Sequence, residues 1–136
     1  MDGYRHRIMD SLLEKKLQAK GAVLIEGPKW CGKTTTAEEI AASKILLAKT
    51  DVKSNFKSLL EIDTDAALSG DTPMLIDEWQ TVPKLWDAVR YTVDHRRKMG
   101  QFILTGSAVP DKEAEAEREH SGAGRFAWLT MRPMTL

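Results

Sequence analysis

The chain has 136 residues, 42% hydrophobic and 29% charged, with 20 Lys and Arg set against 20 Asp and Glu. That suits one soluble domain with room for a core, and a formal charge of zero argues against a protein that neutralises many phosphates along a duplex. One cysteine, Cys31, excludes an intrachain disulfide and fits a reducing compartment. No stretch reaches the ~20 apolar residues of a membrane span, so the default reading is a cytoplasmic protein.

In chain order, "MDGYRHRIMDSLLEKKL" alternates charge with apolar residues and lacks the continuous apolar run of a secretory signal. Ile8, Leu12, Leu13 and Leu17 recur at helical spacing and Gly21 follows as a stop, which predicts an amphipathic helix. Ala22 to Glu26, "AVLIE", reads as a buried strand. Thr34 to Ala42 reads as a helix with Ala37, Ile40 and Ala41 on one face, and Lys44 to Ala48 as a weaker second strand. Asn55 to Leu68 predicts one or two short helices ending near Gly70. Pro73 to Glu78, "PMLIDE", is an apolar strand that ends in two carboxylates. Pro83 opens a helix whose buried face is marked by Trp86, Val89 and Val93, and Gly100 ends it. Gln101 to Ser107 is a further strand, Pro110 to Gly122 an exposed loop or frayed helix, and Arg125 to Met131 a last strand. Strands alternating with helices predict an α/β fold with a parallel sheet covered on both faces.

The junction between the first strand and the second helix carries "GPKWCGKT", a complete Gly-x-x-x-x-Gly-Lys-Thr from Gly27 to Thr34. Strand before and helix after are the context a phosphate-binding loop requires. Glycines let the backbone bend around an anion without a Cβ in the way, successive N–H groups point inward, and the helix start adds the positive end of its dipole. Gly27, Pro28, Lys29, Trp30, Cys31, Gly32, Lys33, Thr34 and Thr35 are therefore the candidate nucleotide-binding residues. Lys33 would reach the β- and γ-phosphates, and the Thr34 hydroxyl would ligate Mg²⁺. An ordinary Gly-rich turn is the bland competitor. For Cys31, packing competes with a thiol activated by the helix start.

Asp77 and Glu78 in "LIDEWQ" split two tasks: Asp77 for the metal, Glu78 to polarise a water for attack on the γ-phosphate. An acidic pair that merely caps an exposed strand end is the alternative. In "ILTGS", Thr105 and Ser107 either sense the phosphate or form a polar strand end and turn. Gln80 could touch the same water and Trp79 could pack; both weigh toward the bland role. Arg125 is either a solvated surface residue or an arginine presented across a subunit boundary of a homo-oligomer. Arg96, Arg97 and Lys98 complement the dipole at a helix end, and His95 reads as a surface histidine.

The segments "GAVLIEGPKWCGKTT", "PMLIDEWQTVPKLWDAVR", "GQFILTGSAVP" and "SGAGRFAWLTMRPMTL", in this order, resemble a family of bacterial and archaeal P-loop ATPases of AAA type. The resemblance implies a three-layer P-loop NTPase fold with a five-stranded parallel core of order 5-1-4-3-2. It also implies ATP and Mg²⁺ as ligands. Lys33, Thr34, Asp77 and Glu78 keep the roles given above, Ser107 matches a first sensor region, and Arg125 matches an arginine before the fifth strand. Residues 1–136 would then be the ATPase core, without the lid and C-terminal domain that family members carry beyond "MRPM". The expected function is ATP binding and hydrolysis that drives a conformational or assembly change, with the coupled protein or nucleic-acid partner open. A nucleotide-binding module with little hydrolysis and a small-molecule kinase are the competing readings. A GTPase is disfavoured, since neither Asn-Lys-x-Asp nor a switch Asp-x-x-Gly is present.

Overall fold

The computed structural model describes residues 2–27, 33–106 and 126–130. Helix α1 (Asp2–Ala19) leads into strand β1 (Ala22–Glu26), followed by α2 (Lys33–Ile40), β2 (Ser43–Leu46), α3 (Thr50–Ile62), α4 (Thr64–Ala67) and β3 (Met74–Asp77). A single 3-10 turn (Trp79–Thr81), helix α5 (Lys84–Arg96), β4 (Phe102–Gly106) and β5 (Phe126–Thr130) complete the order.

The five strands form one sheet in the order β2-β3-β4-β1-β5, and every pairing is parallel. This is the expected order read from its other edge. Side chains on a strand alternate between faces, and the two cores follow that alternation. Ala22, Leu24, Met74, Ile76, Phe102 and Leu104 pack on one side with residues from α3, α4 and α5, including Phe56, Leu60, Ala67, Leu85, Val89 and Val93. Val23, Ile25, Leu75 and Ile103 pack on the other side with Leu13 and Leu17 of α1 and Ala37 of α2. The fold is therefore three layers, with the sheet buried on both faces. That burial explains why its strands read as apolar runs rather than alternating ones.

Several boundaries differ from the sequence reading. The second strand is shorter, ending at Leu46 rather than Ala48. Helix α3 starts at Thr50, five positions before the expected Asn55; its first turn carries no buried residue, so apolar spacing gives no signal there. The break between α3 and α4 falls at Asp63, whose side chain accepts from the Ala66 N–H at 3.1 Å and caps the shorter helix. Helix α5 stops earlier than Gly100, at Arg97, which takes the left-handed conformation (φ 55, ψ 38) and donates its N–H to Val93 O. Leu12 is 39% exposed, so the buried stripe of α1 runs through Leu13 and Leu17. The segment 110–122 lies outside the described residues.

Candidate nucleotide site

In an all-parallel sheet every strand ends at the same edge, so the residues just past the strands collect there. Strand β1 ends at Glu26 opposite Gly106, and Asp77 stands opposite Thr105 at the end of β3. Gly27, first residue of the phosphate-loop sequence, donates its N–H to Gly106 O at 3.3 Å, carrying the β1–β4 ladder one step past the strand. Lys33, Thr34 and Thr35 form the first turn of α2. Pro28, Lys29, Trp30, Cys31, Gly32, Ser107 and Arg125 lie outside the described residues, as do the side chains of Lys33, Thr34 and Thr35.

The pleat decides which way the acidic strand end points. Asp77 shares a face with Leu75, and Thr105 with Ile103; Leu75 and Ile103 belong to the core formed with α1 and α2. Asp77 is thus presented on the side of the sheet that carries the phosphate-loop helix. It is only 9% exposed, and the Thr105 hydroxyl, fully buried, donates to its Oδ1 at 2.6 Å. A short hydrogen bond to a carboxylate is charge-assisted and holds it in one orientation. Thr105, weighed above as a phosphate sensor or a polar strand end, has its hydroxyl on Asp77 in this structure.

Glu78 leaves the sheet at once. Its backbone is left-handed (φ 58, ψ 45), a conformation that L residues other than Asn and Asp rarely adopt. Its carbonyl accepts the Thr81 hydroxyl at 2.9 Å and the Thr81 N–H at 3.1 Å, which closes the 3-10 turn. Its carboxylate Oε2 accepts from Gln80 Nε2 at 2.6 Å. Trp79 is buried and lies against Trp86, with ring centroids 5.3 Å apart, and Trp86 in turn stacks on Phe126 of β5 at 4.2 Å. The aromatic series anchors the turn that carries Glu78. Sequence reasoning set Gln80 aside; a polar residue two positions from a carboxylate reveals a contact only once the turn between them is known.

At the opposite pole, Arg96 donates to Leu68 O at 3.0 Å and lies over the Phe102 ring. It braces α5 against α4 and β4 and is no simple dipole partner. His95 is exposed, as expected, and stacks on Tyr91.

A three-layer α/β fold of this strand order, with an acidic strand end on the side of the phosphate-loop helix, defines a P-loop NTPase-type core. The chain belongs to the AAA domain family, whose model matches residues 19–136; this is a family of nucleotide-binding, ATPase-type domains. Over 125 residues the chain is 30% identical to the uncharacterized proteins Mb2031c of Mycobacterium bovis and Rv2008c of Mycobacterium tuberculosis. The alignment takes in 91% of this chain but 28% of theirs, so the chain spans little more than a quarter of those relatives. Among solved structures, PCH-2 of C. elegans superposes with a TM-score of 0.50, covering 96% of this chain and 42% of that one at 16% identity, a likeness of fold. Among the described residues no helix is long and apolar enough to cross a membrane.

Proposed function

We propose that residues 1–136 form an ATPase core that binds ATP with Mg²⁺ at the C-terminal edge of the sheet and hydrolyses it. Its nucleotide state would then drive a conformational or assembly change. The observation that carries this reading is the position of Asp77: a buried, hydroxyl-oriented carboxylate on the face of the sheet that also bears α2, with one strand, β4, between it and the strand that leads to Gly27.

In this reading the loop from Gly27 through Thr35 cradles the phosphates with the backbone N–H groups of Lys29, Trp30, Cys31, Gly32, Lys33, Thr34 and Thr35, while Gly27, whose N–H goes to Gly106 O, and Pro28, which has no N–H, lead the chain into the turn. Lys33 adds positive charge beside the β- and γ-phosphates. The donors that fit Mg²⁺ are hard oxygens, the Thr34 hydroxyl and the Asp77 carboxylate, which suits an ion that keeps several waters and takes phosphate oxygens for the rest. Bound there, the ion would neutralise charge on the phosphate oxygens. Glu78 orients the attacking water and takes up its proton as the new O–P bond forms and the bond from the γ-phosphorus to the departing ADP oxygen breaks. Ser107 follows β4 directly and is the proposed contact to the γ-phosphate. Arg125 directly precedes β5 and is the proposed arginine offered to a neighbouring copy in a homo-oligomer.

Calorimetric titration with ATP, ADP and GTP, with and without Mg²⁺, tests the reading. Adenine nucleotides bind, Mg²⁺ tightens ATP, and Lys33→Ala abolishes binding. Phosphate release with ATP alone, without an acceptor, falls to background in Glu78→Gln while binding persists. Binding without release in the native chain would favour a nucleotide-binding module, and release only with an acceptor would favour a kinase.

A further inference from the structure

Gln80 combines three observations that the reading above does not use. Its Nε2 donates to Glu78 Oε2 at 2.6 Å. Only the NH₂ end of an amide can donate to a carboxylate, so the chemistry fixes which way the side chain points. Its other end, Oε1, is buried and has no hydrogen-bond partner among the described residues. That same oxygen lies against Gly106: a Cβ placed there would stand 2.5 Å from Gln80 Oε1 and 2.9 Å from Trp79 Nε1. Gly106 also accepts the Gly27 N–H at the start of the phosphate loop. A continuous set of contacts therefore runs from Gly27 to Gly106, from Gly106 to Gln80, and from Gln80 to the Glu78 carboxylate.

We infer that Gln80 is a positioning residue for hydrolysis, the amide strut through which the end of β4, tied to Gly27, fixes the orientation of Glu78. The inference rests on the hydrolytic reading of Glu78. A buried carbonyl without a donor is costly. It is tolerated here because the opposite end of the same amide is fixed on the carboxylate and the absent Cβ at Gly106 leaves space for it. Glu78 itself leaves the sheet on a left-handed backbone with its side chain only partly buried, so the Gln80 contact bears directly on where its carboxylate points. Removing the strut leaves the carboxylate in place chemically and frees it geometrically, the kind of change that costs rate rather than binding.

The test compares the native chain with Gln80→Leu, which keeps bulk and loses both polar ends, with Gln80→Glu, which keeps shape and removes the donor, and with Gly106→Ala, which pushes Oε1 away. All three are expected to lower kcat on the order of 10- to 100-fold with KM for ATP unchanged. Gln80→Leu or Gln80→Glu at the native rate would overturn the proposal, and so would a rise in KM with kcat intact. A second readout needs no turnover: the Gln80 side-chain amide in ¹⁵N spectra. Its protons are expected to be shifted and slow to exchange with solvent, and to become ordinary in Glu78→Ala. If the native chain releases no phosphate, the hydrolytic reading fails by that result alone. The amide signal then decides the strut, and free, solvent-exchanging protons would remove it. The same signal decides if the Gln80 variants do not fold, since it is read on the native chain and Glu78→Ala.

Discussion

Asp77 and Thr105 illustrate how much of the site depends on one contact. The pair sits at matched register on adjacent strands, and the hydroxyl-to-carboxylate distance of 2.6 Å is that of a charge-assisted bond. Thr105→Val removes the hydroxyl at nearly constant volume inside a dry sheet edge. It is expected to lower unfolding stability in urea by about 1.5–3 kcal/mol, the usual range for a hydrogen bond to a charged group. Thr105→Ser keeps the hydroxyl and loses only a methyl, about 1 kcal/mol. The valine variant should also lose the Mg²⁺-dependent part of ATP affinity while the serine variant keeps it. At this scale the sequence was partly legible. The identity of Asp77 follows from a carboxylate at the end of an apolar run downstream of a complete phosphate-loop pattern. The partnership with Thr105 does not, because it joins residues 28 positions apart through strand register.

Helix α5 shows where local signals hold and where they fail. Its start at Lys84, after Pro83, follows from proline's fixed φ, and its buried face, Leu85, Trp86, Val89, Thr92 and Val93, extends the stripe set by helical spacing. Its end is different. The sequence offers Gly100 as the stop, yet the helix turns off at Arg97, which carries a Cβ through a left-handed conformation. Gly100 is also left-handed (φ 65) and serves the next step, donating its N–H to Lys20 O at 2.9 Å to bring the chain back to β4. Arg97→Gly is therefore expected to stabilise the fold by about 1 kcal/mol, the relief of a left-handed Cβ at a helix terminus less the added freedom of the unfolded chain. Urea unfolding of the two proteins checks it; a loss of stability would mean that the Arg97 side chain holds something in place.

Over the molecule as a whole, fold class was readable because both faces of the sheet are buried and each strand appears as an uninterrupted apolar run. Strand order was not contained in that pattern: periodicity says which residues are inside, not which strand lies beside which, and the expected order came from resemblance. The α3 start was likewise hidden, since Asp51, Val52 and Lys53 show no apolar periodicity. Linkage offers a test at this scale. A ligand that binds only the folded chain raises its stability by about 2.7 kcal/mol at a hundred times its Kd. ATP with Mg²⁺ should thus raise the melting temperature in a concentration-dependent way, GTP should do so less, and Lys33→Ala should abolish the shift.

Strand β4 separates the acidic strand from the strand that feeds the phosphate loop. Two inter-strand steps of about 4.8 Å set these ends roughly 10 Å apart, and neither end can move toward the other without unzipping a ladder. The fold thus acts as a fixed caliper. If the proposed site is correct, a polyphosphate chain would have to be long enough to engage both jaws, so nucleotides shortened to a single phosphate would grip one jaw only, and their affinity should be indifferent to Mg²⁺.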